Sequence, residues 1–232
     1  IPTVARNEIL NYLSKSGIET LRIEARAQYI TLDRLRDAKE RLSPANLEVA
    51  IGIETTNTEI RENWLNKKYS NGLIDKSVSL LGESEVGFLG YVLFKPPVFD
   101  DDKEKEAIDD AIKSSLDIFD LGRKYSVPTR VGLNPFYLPD SNQYTPKDLE
   151  NYTPPSLWSV LEVIKKTHSS GTTFIGLNSE GLVSYYNREA HGCEKCTSEF
   201  RNVLNDYNGD RDIEKLLSFY CDCKENYVMI LK

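Results

Sequence analysis

The chain has 232 residues, 40% hydrophobic and 28% charged, which suits a sizeable core and excludes wholesale disorder. The formal charge of −7 argues against binding nucleic acid by bulk electrostatics and leaves room only for a locally basic groove. The longest apolar run, Val86 to Phe94, has nine residues, two of them glycine. A membrane span needs ~20, and the sequence opens on no signal peptide, so the expectation is a soluble, cytoplasmic protein.

The sequence begins in a helical pattern, with Ala5, Ile9, Tyr12 and Leu13 at helical spacing and Gly17 as the stop. Leu21–Ile23 reads as a short strand leading into Glu24, Ala25 and Arg26, and Thr31 reads as the cap of a charged helix running to about Leu42. Leu47–Ile53 is nearly all apolar, as a parallel strand covered on both faces should be. Helical stretches come next at Asn57–Leu65 and Gly72–Leu81, then a third strand at Val86–Phe94. A long amphipathic helix is predicted from about Lys103 to Tyr125, a fourth strand at Arg130–Leu133, and a loop rich in proline and tyrosine from Leu138 to Pro155. Ser156 then caps a helix that turns Leu157, Val160, Leu161 and Ile164 inward, and Thr172–Leu177 reads as the fifth strand. This alternation defines an α/β fold with a parallel sheet over residues 1–180. From about Glu180 the pattern changes to short helices at Thr197–Asp206 and Asp212–Tyr220, read as a small module over residues 181–232.

Every strand ends in a charged or amide residue: Glu24 and Arg26, Glu54, Lys95, Asn134 and Asn178. In parallel α/β folds ligands sit outside the carboxyl ends of the strands, where such side chains converge. The competing explanation is that strand ends are simply where solvent begins.

All four cysteines fall in the last forty residues, as His191-x-Cys193-x2-Cys196 and Cys221-x-Cys223. Two close pairs suit a closed tetrahedral site, with zinc as the first candidate and His191 as a competing ligand. The same thiolates could hold an iron–sulfur cluster, pair as a disulfide, act as a redox couple, or stay reduced. His168 ends a helix and reads as a cap. With only two histidines in the chain, His-based acid–base or triad chemistry is poorly supplied. Asp100–Asp102 reads as a solvated loop. Tyr137, Tyr144 and Tyr152 could stack on bases, although tyrosines in a proline-rich loop more often pack it down. The densest basic stretch, Arg22, Arg26, Arg34, Arg36, Lys39 and Arg41, reads as a solvated helix face.

Three segments resemble radical S-adenosylmethionine enzymes of the branch that holds the elongator catalytic subunit and the methylthiotransferases. They are Leu21-Arg-Ile-Glu-Ala-Arg26, Leu47-Glu-Val-Ala-Ile-Gly-Ile-Glu-Thr55, and Asn57, Glu59, Ile60, Arg61, Asn66 and Lys67. Within that branch, Phe94-Lys-Pro-Pro97, Pro154-Pro-Ser-Leu-Trp-Ser-Val160 and the His191…Cys223 module resemble the archaeal radical enzymes that complete archaeosine on transfer RNA.

The resemblance implies the C-terminal part of a partial TIM-type (β/α) barrel and a C–N lyase. The bond cleaved would belong to a lysine adduct on the 7-deazaguanine base, with S-adenosylmethionine and a [4Fe–4S] cluster as cofactors. By position it implies that Glu24 and Arg26 contact the ribose and methionine of S-adenosylmethionine. It places Ile51, Gly52 and Ile53 along the adenine, has Glu54 and Thr55 close that wall, and turns Lys95 to the substrate. Modified transfer RNA and a transferase subunit are the implied partners. The Cys-x3-Cys-x2-Cys cluster motif of such enzymes is absent from the sequence, and the helix at Ile1–Ser14 matches the one after their third strand. The expectation is therefore the C-terminal portion of a longer enzyme, with no catalytic residue of its own and no activity alone. Two other readings stand beside it: a metal-stapled, non-catalytic module that docks on a tRNA-modifying partner, and an ordinary barrel lyase using Glu24 and Glu54 as an acid–base pair.

Overall fold

The computed structural model describes residues 2–139, 152–177 and 188–230; Tyr144 and Asn178 lie outside them. Strands β1 (Thr20–Glu24), β2 (Asn46–Glu54), β3 (Gly87–Phe94), β4 (Thr129–Pro135) and β5 (Thr172–Ile175) form one five-stranded sheet in the order of the chain. Every neighbouring pair is parallel. Helices α1 (Thr3–Leu13), α2 (Leu32–Leu42), α3 (Asn71–Glu83), α4 (Glu104–Lys124) and α5 (Leu157–Thr167) precede or connect the strands. Helices α6 (Thr197–Asp210), α7 (Ile213–Leu217) and α8 (Cys223–Ile230) come after the sheet. Sequential parallel order with helical crossovers is the connectivity of a (β/α) barrel segment, and the α/β expectation holds.

Strand alternation separates the two faces. Leu47, Val49, Ile51 and Ile53 of β2, Phe88, Val92 and Phe94 of β3, and Val131 and Leu133 of β4 belong to the buried core, on the side covered by α2, α3 and α4. The opposite face carries Arg22 and Glu24, Ala50 and Gly52, Leu89, Tyr91 and Leu93, Arg130 and Asn134. Helix starts obey side-chain capping in part. Ser70 Oγ accepts from Leu73 N at 3.3 Å, Ser156 Oγ from Trp158 N at 3.2 Å and Asp212 from Lys215 N at 3.0 Å. Thr31 occupies the N-cap position of α2, but its side chain makes no capping bond. His168 is the C-cap of α5, as its cationic neighbours suggested.

Two elements escape the periodicity. Residues Ile60–Trp64, inside the predicted Asn57–Leu65 helix, form a π-helical turn, and α8 begins at the last cysteine pair without a strong apolar stripe. Among the described residues no helix is long and apolar enough to cross a membrane.

Candidate functional site

The carboxyl ends of the strands enclose a cleft of 790 Å³, lined among others by Glu24, Arg26, Gly52, Glu54, Lys67, Tyr91 and Asn134. That is a normal size for a small-molecule site. Glu24 and Arg26 project from the end of β1 and the turn after it. Arg26 is exposed, and its side chain makes no hydrogen bond or ion pair among the described residues.

Glu54 sits at a register shift between β2 and β3 and has φ +66°, the left-handed region that a residue with a Cβ occupies only when its surroundings hold it there. Lys67 holds it, with Nζ 2.5 Å from Glu54 Oε1. A side chain at Gly52 would meet this pair, because its Cβ would lie 2.7 Å from Glu54 Oε1 and 3.3 Å from Lys67 Nζ. A side chain there would displace this ion pair from the wall of the cleft.

The loop after β2 is built around Arg61, which is fully buried. Its Nη1 donates to Thr55 O at 2.9 Å and its Nε to Tyr69 O at 3.0 Å, so one planar guanidinium ties both ends of the loop. The Tyr69 hydroxyl donates to Gly52 O, and burial together with the Glu54 charge pushes its pKa up to about 12. Thr55 Oγ1 donates to Asp110 Oδ1 at 2.9 Å and Thr56 Oγ1 to Asp117 Oδ2 at 2.5 Å, fastening the loop to α4. Burial raises the Asp110 pKa.

Of the residues singled out by sequence, the structure brings Glu24, Arg26, Gly52 and Glu54 together at this cleft. The side chains of Ile51 and Ile53 turn to the helix side and are fully buried, and Thr55 is buried against α4. Lys95 continues the row of Leu89, Tyr91 and Leu93, yet its φ of +52° breaks the alternation. Its Nζ lies 2.5 Å from Glu104 Oε2 in a pair almost wholly removed from solvent, away from the Glu24–Glu54 mouth. Glu104 also accepts from Ser159 Oγ, and Tyr152 donates to Lys95 O at 2.7 Å.

This pair faces a second cavity of 430 Å³, whose lining includes His191, Trp158, Cys193 and Cys223. Tyr137 lines the strand-end cleft. Tyr91 was not singled out by sequence. The only signal for it is a hydroxyl within an apolar strand, at the position paired with Gly52 on one side and Gly132 on the other.

The sulfurs of Cys193, Cys196, Cys221 and Cys223 all lie within 4.8 Å of one another. The separations are 3.6 Å for Cys193–Cys196, 3.7 Å for Cys193–Cys221 and 3.6 Å for Cys196–Cys223. Four thiolates around one zinc, with Zn–S of about 2.3 Å, stand about 3.8 Å apart, so the group could hold a single metal ion. A cubane cluster, with each thiolate on a different iron, needs wider spacing.

The Trp158 indole donates to Cys223 Sγ at 3.2 Å, an outer-shell bond of the kind that orients metal ligands. His191 stands outside the sulfur group: its Nδ1 is 2.8 Å from Glu189 O. Its backbone joins the module to the start of α5, with Leu157 N donating to His191 O at 3.0 Å. Trp158, Phe200 and Phe219 pack as an aromatic cluster with centroids 4.3–5.7 Å apart.

At the amino ends of the strands, Glu48 accepts from Arg22 Nε at 2.5 Å and from Arg130 Nε at 2.7 Å. Burial alone would raise the Glu48 pKa, but the two guanidiniums hold it below the usual carboxylate range. The basic stretch of α2 is also paired, Arg36 with Glu83, Lys39 with Glu85 and Arg41 with Asp37, as expected of a solvated face.

An α/β fold with a barrel-type parallel sheet and a four-cysteine group is thus defined. No family model matches the chain. It is 32% identical to an uncharacterized protein of Methanocaldococcus jannaschii, over 97% of this chain and 60% of that protein. It is 24% identical to archaeosine synthase subunit beta of Methanosarcina acetivorans, over 98% of this chain and 64% of that protein. The subunit of the same name from Thermococcus kodakarensis matches at 24% over 68% of this chain and 47% of its own length. The chain therefore spans less than two thirds of the curated relatives it matches. The solved structure of the archaeal Methanocaldococcus infernus Elp3 with an N-terminal deletion aligns with a TM-score of 0.60 at 15% identity, over 89% of this chain and 46% of that one, a likeness of fold. The chain is thus distantly similar to archaeosine synthase beta subunits.

Proposed function

We propose that these residues form the C-terminal part of a radical S-adenosylmethionine enzyme of transfer-RNA modification. The reaction it would serve is cleavage of a C–N bond in a lysine adduct on 7-deazaguanine to give archaeosine. The observation that carries this reading is the convergence of Glu24, Arg26, Gly52 and Glu54 at one cleft, from strand-end segments that the sequence resemblance had marked separately.

The cleft suits S-adenosylmethionine chemically. The Arg26 guanidinium would bind the methionine carboxylate, the Glu24 carboxylate would accept from the ribose hydroxyls, and the bare backbone at Gly52 would let a flat adenine approach. Glu54 and Lys67, fixed to each other and to the Arg61 loop, would form a rigid wall.

The residues present do not suit an iron–sulfur cluster at this cleft. The four cysteines are gathered in the module, and none lines the cleft. No chemical step is assigned to the chain by itself. The cysteine group serves as a structural zinc site that docks the cysteine module onto α5. Transfer RNA and an alpha-type transferase subunit are the partners this reading calls for, because the relatives are named as beta subunits of archaeosine synthase.

The test uses the complete protein containing these residues, reconstituted with iron and sulfide and given dithionite, S-adenosylmethionine and adduct-bearing transfer RNA. The expected result is 5′-deoxyadenosine together with archaeosine, lost in Glu24→Ala and Arg26→Ala. Formation of archaeosine without 5′-deoxyadenosine would exclude radical chemistry.

A further inference from the structure

Two polar side chains of the cleft floor belong to none of the assigned contacts. Tyr91 rises from the middle of β3, and its hydroxyl donates to Glu24 Oε1 at 3.3 Å, which ties the ring down at its far end. Its ring edge fills the space above Gly132 of β4, where a Cβ would come within 2.6 Å of Tyr91 Cδ1. One strand on, the Asn134 amide lies over Gly176, where any side chain would collide with Asn134 Oδ1. Gly132 on β4 and Gly176 just past β5 thus clear room for one aromatic ring and one amide to lie across the floor. Asn134 is only half-buried and makes no side-chain hydrogen bond among the described residues. Its donor and its acceptor are both available to a ligand in the cleft.

The geometry points to a purine-like base as the ligand of this part of the cleft, with its face on Tyr91 and a donor–acceptor edge on Asn134. An amide offers one donor and one acceptor side by side, the complement of N6/N7 of adenine or, on a 7-deazaguanine with carbon at position 7, of O6 and N1–H. An anchored tyrosine ring supplies a stacking surface. The inference deepens the proposed function and rests on it: the cleft has two sources for such a base, the adenine of S-adenosylmethionine and the 7-deazaguanine of the substrate. Gly52 and Arg26 lie toward β1 and β2, whereas Asn134 and Gly176 lie toward β5. One ligand laid along β1 and β2 therefore leaves the Tyr91–Asn134 floor to a second base, and the substrate base is assigned there.

The test is saturation-transfer NMR on the complete protein containing these residues with 7-deazaguanosine, adenosine, uridine and S-adenosylhomocysteine. Wild type should bind 7-deazaguanosine, with uridine about tenfold weaker because a pyrimidine offers a smaller stacking face. Asn134→Leu and Tyr91→Leu should each lose about tenfold for 7-deazaguanosine, while Tyr91→Phe, which keeps the ring, stays within about twofold. Asn134→Asp, nearly the same shape but without the donor, should weaken binding as Asn134→Leu does; a thermal melt of each variant checks its fold. S-Adenosylhomocysteine binding unchanged in these variants assigns the site to the substrate base, and a parallel loss assigns it to adenine. Nucleoside binding indifferent to both residues, or absent while S-adenosylhomocysteine binds, overturns the inference and leaves the proposed function standing. Failure of every ligand to bind overturns both.

Discussion

Replacing Arg61 by methionine removes the guanidinium that ties Thr55 O to Tyr69 O while keeping a side chain of similar reach. Two hydrogen bonds from a charged donor are worth ~1.5–3 kcal/mol each. Against that, the charge is fully buried and its Nη2 has no partner among the described residues, so removing it recovers a desolvation penalty that offsets roughly half. The net loss should be about 2–3 kcal/mol. With a urea m-value of about 2 kcal/mol per M, the unfolding midpoint should fall by about 1–1.5 M. Arg61→Lys reaches only one carbonyl and keeps the buried charge, so it loses one such bond with no desolvation recovered and should fall by a similar amount. Equilibrium unfolding monitored by circular dichroism reads the effect. A midpoint unchanged in Arg61→Met would refute the argument that this guanidinium holds the loop carrying Lys67 to Glu54.

Elemental analysis of freshly purified chain should find about one zinc. Its removal by a chelator, or Cys196→Ser, should lower the melting temperature by more than about 5 °C, since for a chain of this size each kcal/mol moves it by about 2–4 °C. Metal-free protein with an unchanged melt would remove the zinc assignment. Glu48→Gln should cost about 1–2 kcal/mol at pH 7, a modest figure because Arg22 and Arg130 keep partial access to water. The folded pKa of Glu48 lies below its unfolded value, so its stabilisation is present above about pH 5 and lost as pH falls through the folded value. Wild type and Glu48→Gln should therefore converge on acidification; a gap that widens would contradict the assignment. Gly82→Ala places a Cβ 2.5 Å from the Tyr125 carbonyl oxygen. It should destabilise by about 1–2 kcal/mol in a thermal melt despite a helix-propensity gain of about 1 kcal/mol, and a stabilised variant would show that the α3–α4 contact yields freely.

The sheet was legible because β2 and β3 read as near-continuous apolar runs, the mark of strands covered on both faces at their centres, and because α4 repeats Ile108, Ala111, Ile118 and Phe119 on one buried side. The π turn at Ile60–Trp64 was not, since its bounds are set by Arg61 reaching two carbonyls across the loop, a tertiary demand that leaves no period in the sequence. Lys95 shows the limit of reading strand ends: its position predicts the cleft, but one left-handed backbone angle sends it to Glu104. Spacing also brought the four cysteines together and left His191 ambiguous, because whether an imidazole or an indole stands beside the sulfurs depends on how α5 meets the module. Tyr91 could not be found from sequence, because its role depends on the absence of a side chain on a neighbouring strand.

The most direct measurement is hydrogen exchange of this chain with and without S-adenosylhomocysteine. Binding as described should slow exchange in the segments ending β1 and β2, around Glu24–Arg26 and Gly52–Thr55, and leave the Glu48 end of the sheet untouched. Protection confined to the cysteine module, or to the amino ends of the strands, would contradict the cleft as a sulfonium-nucleotide half-site.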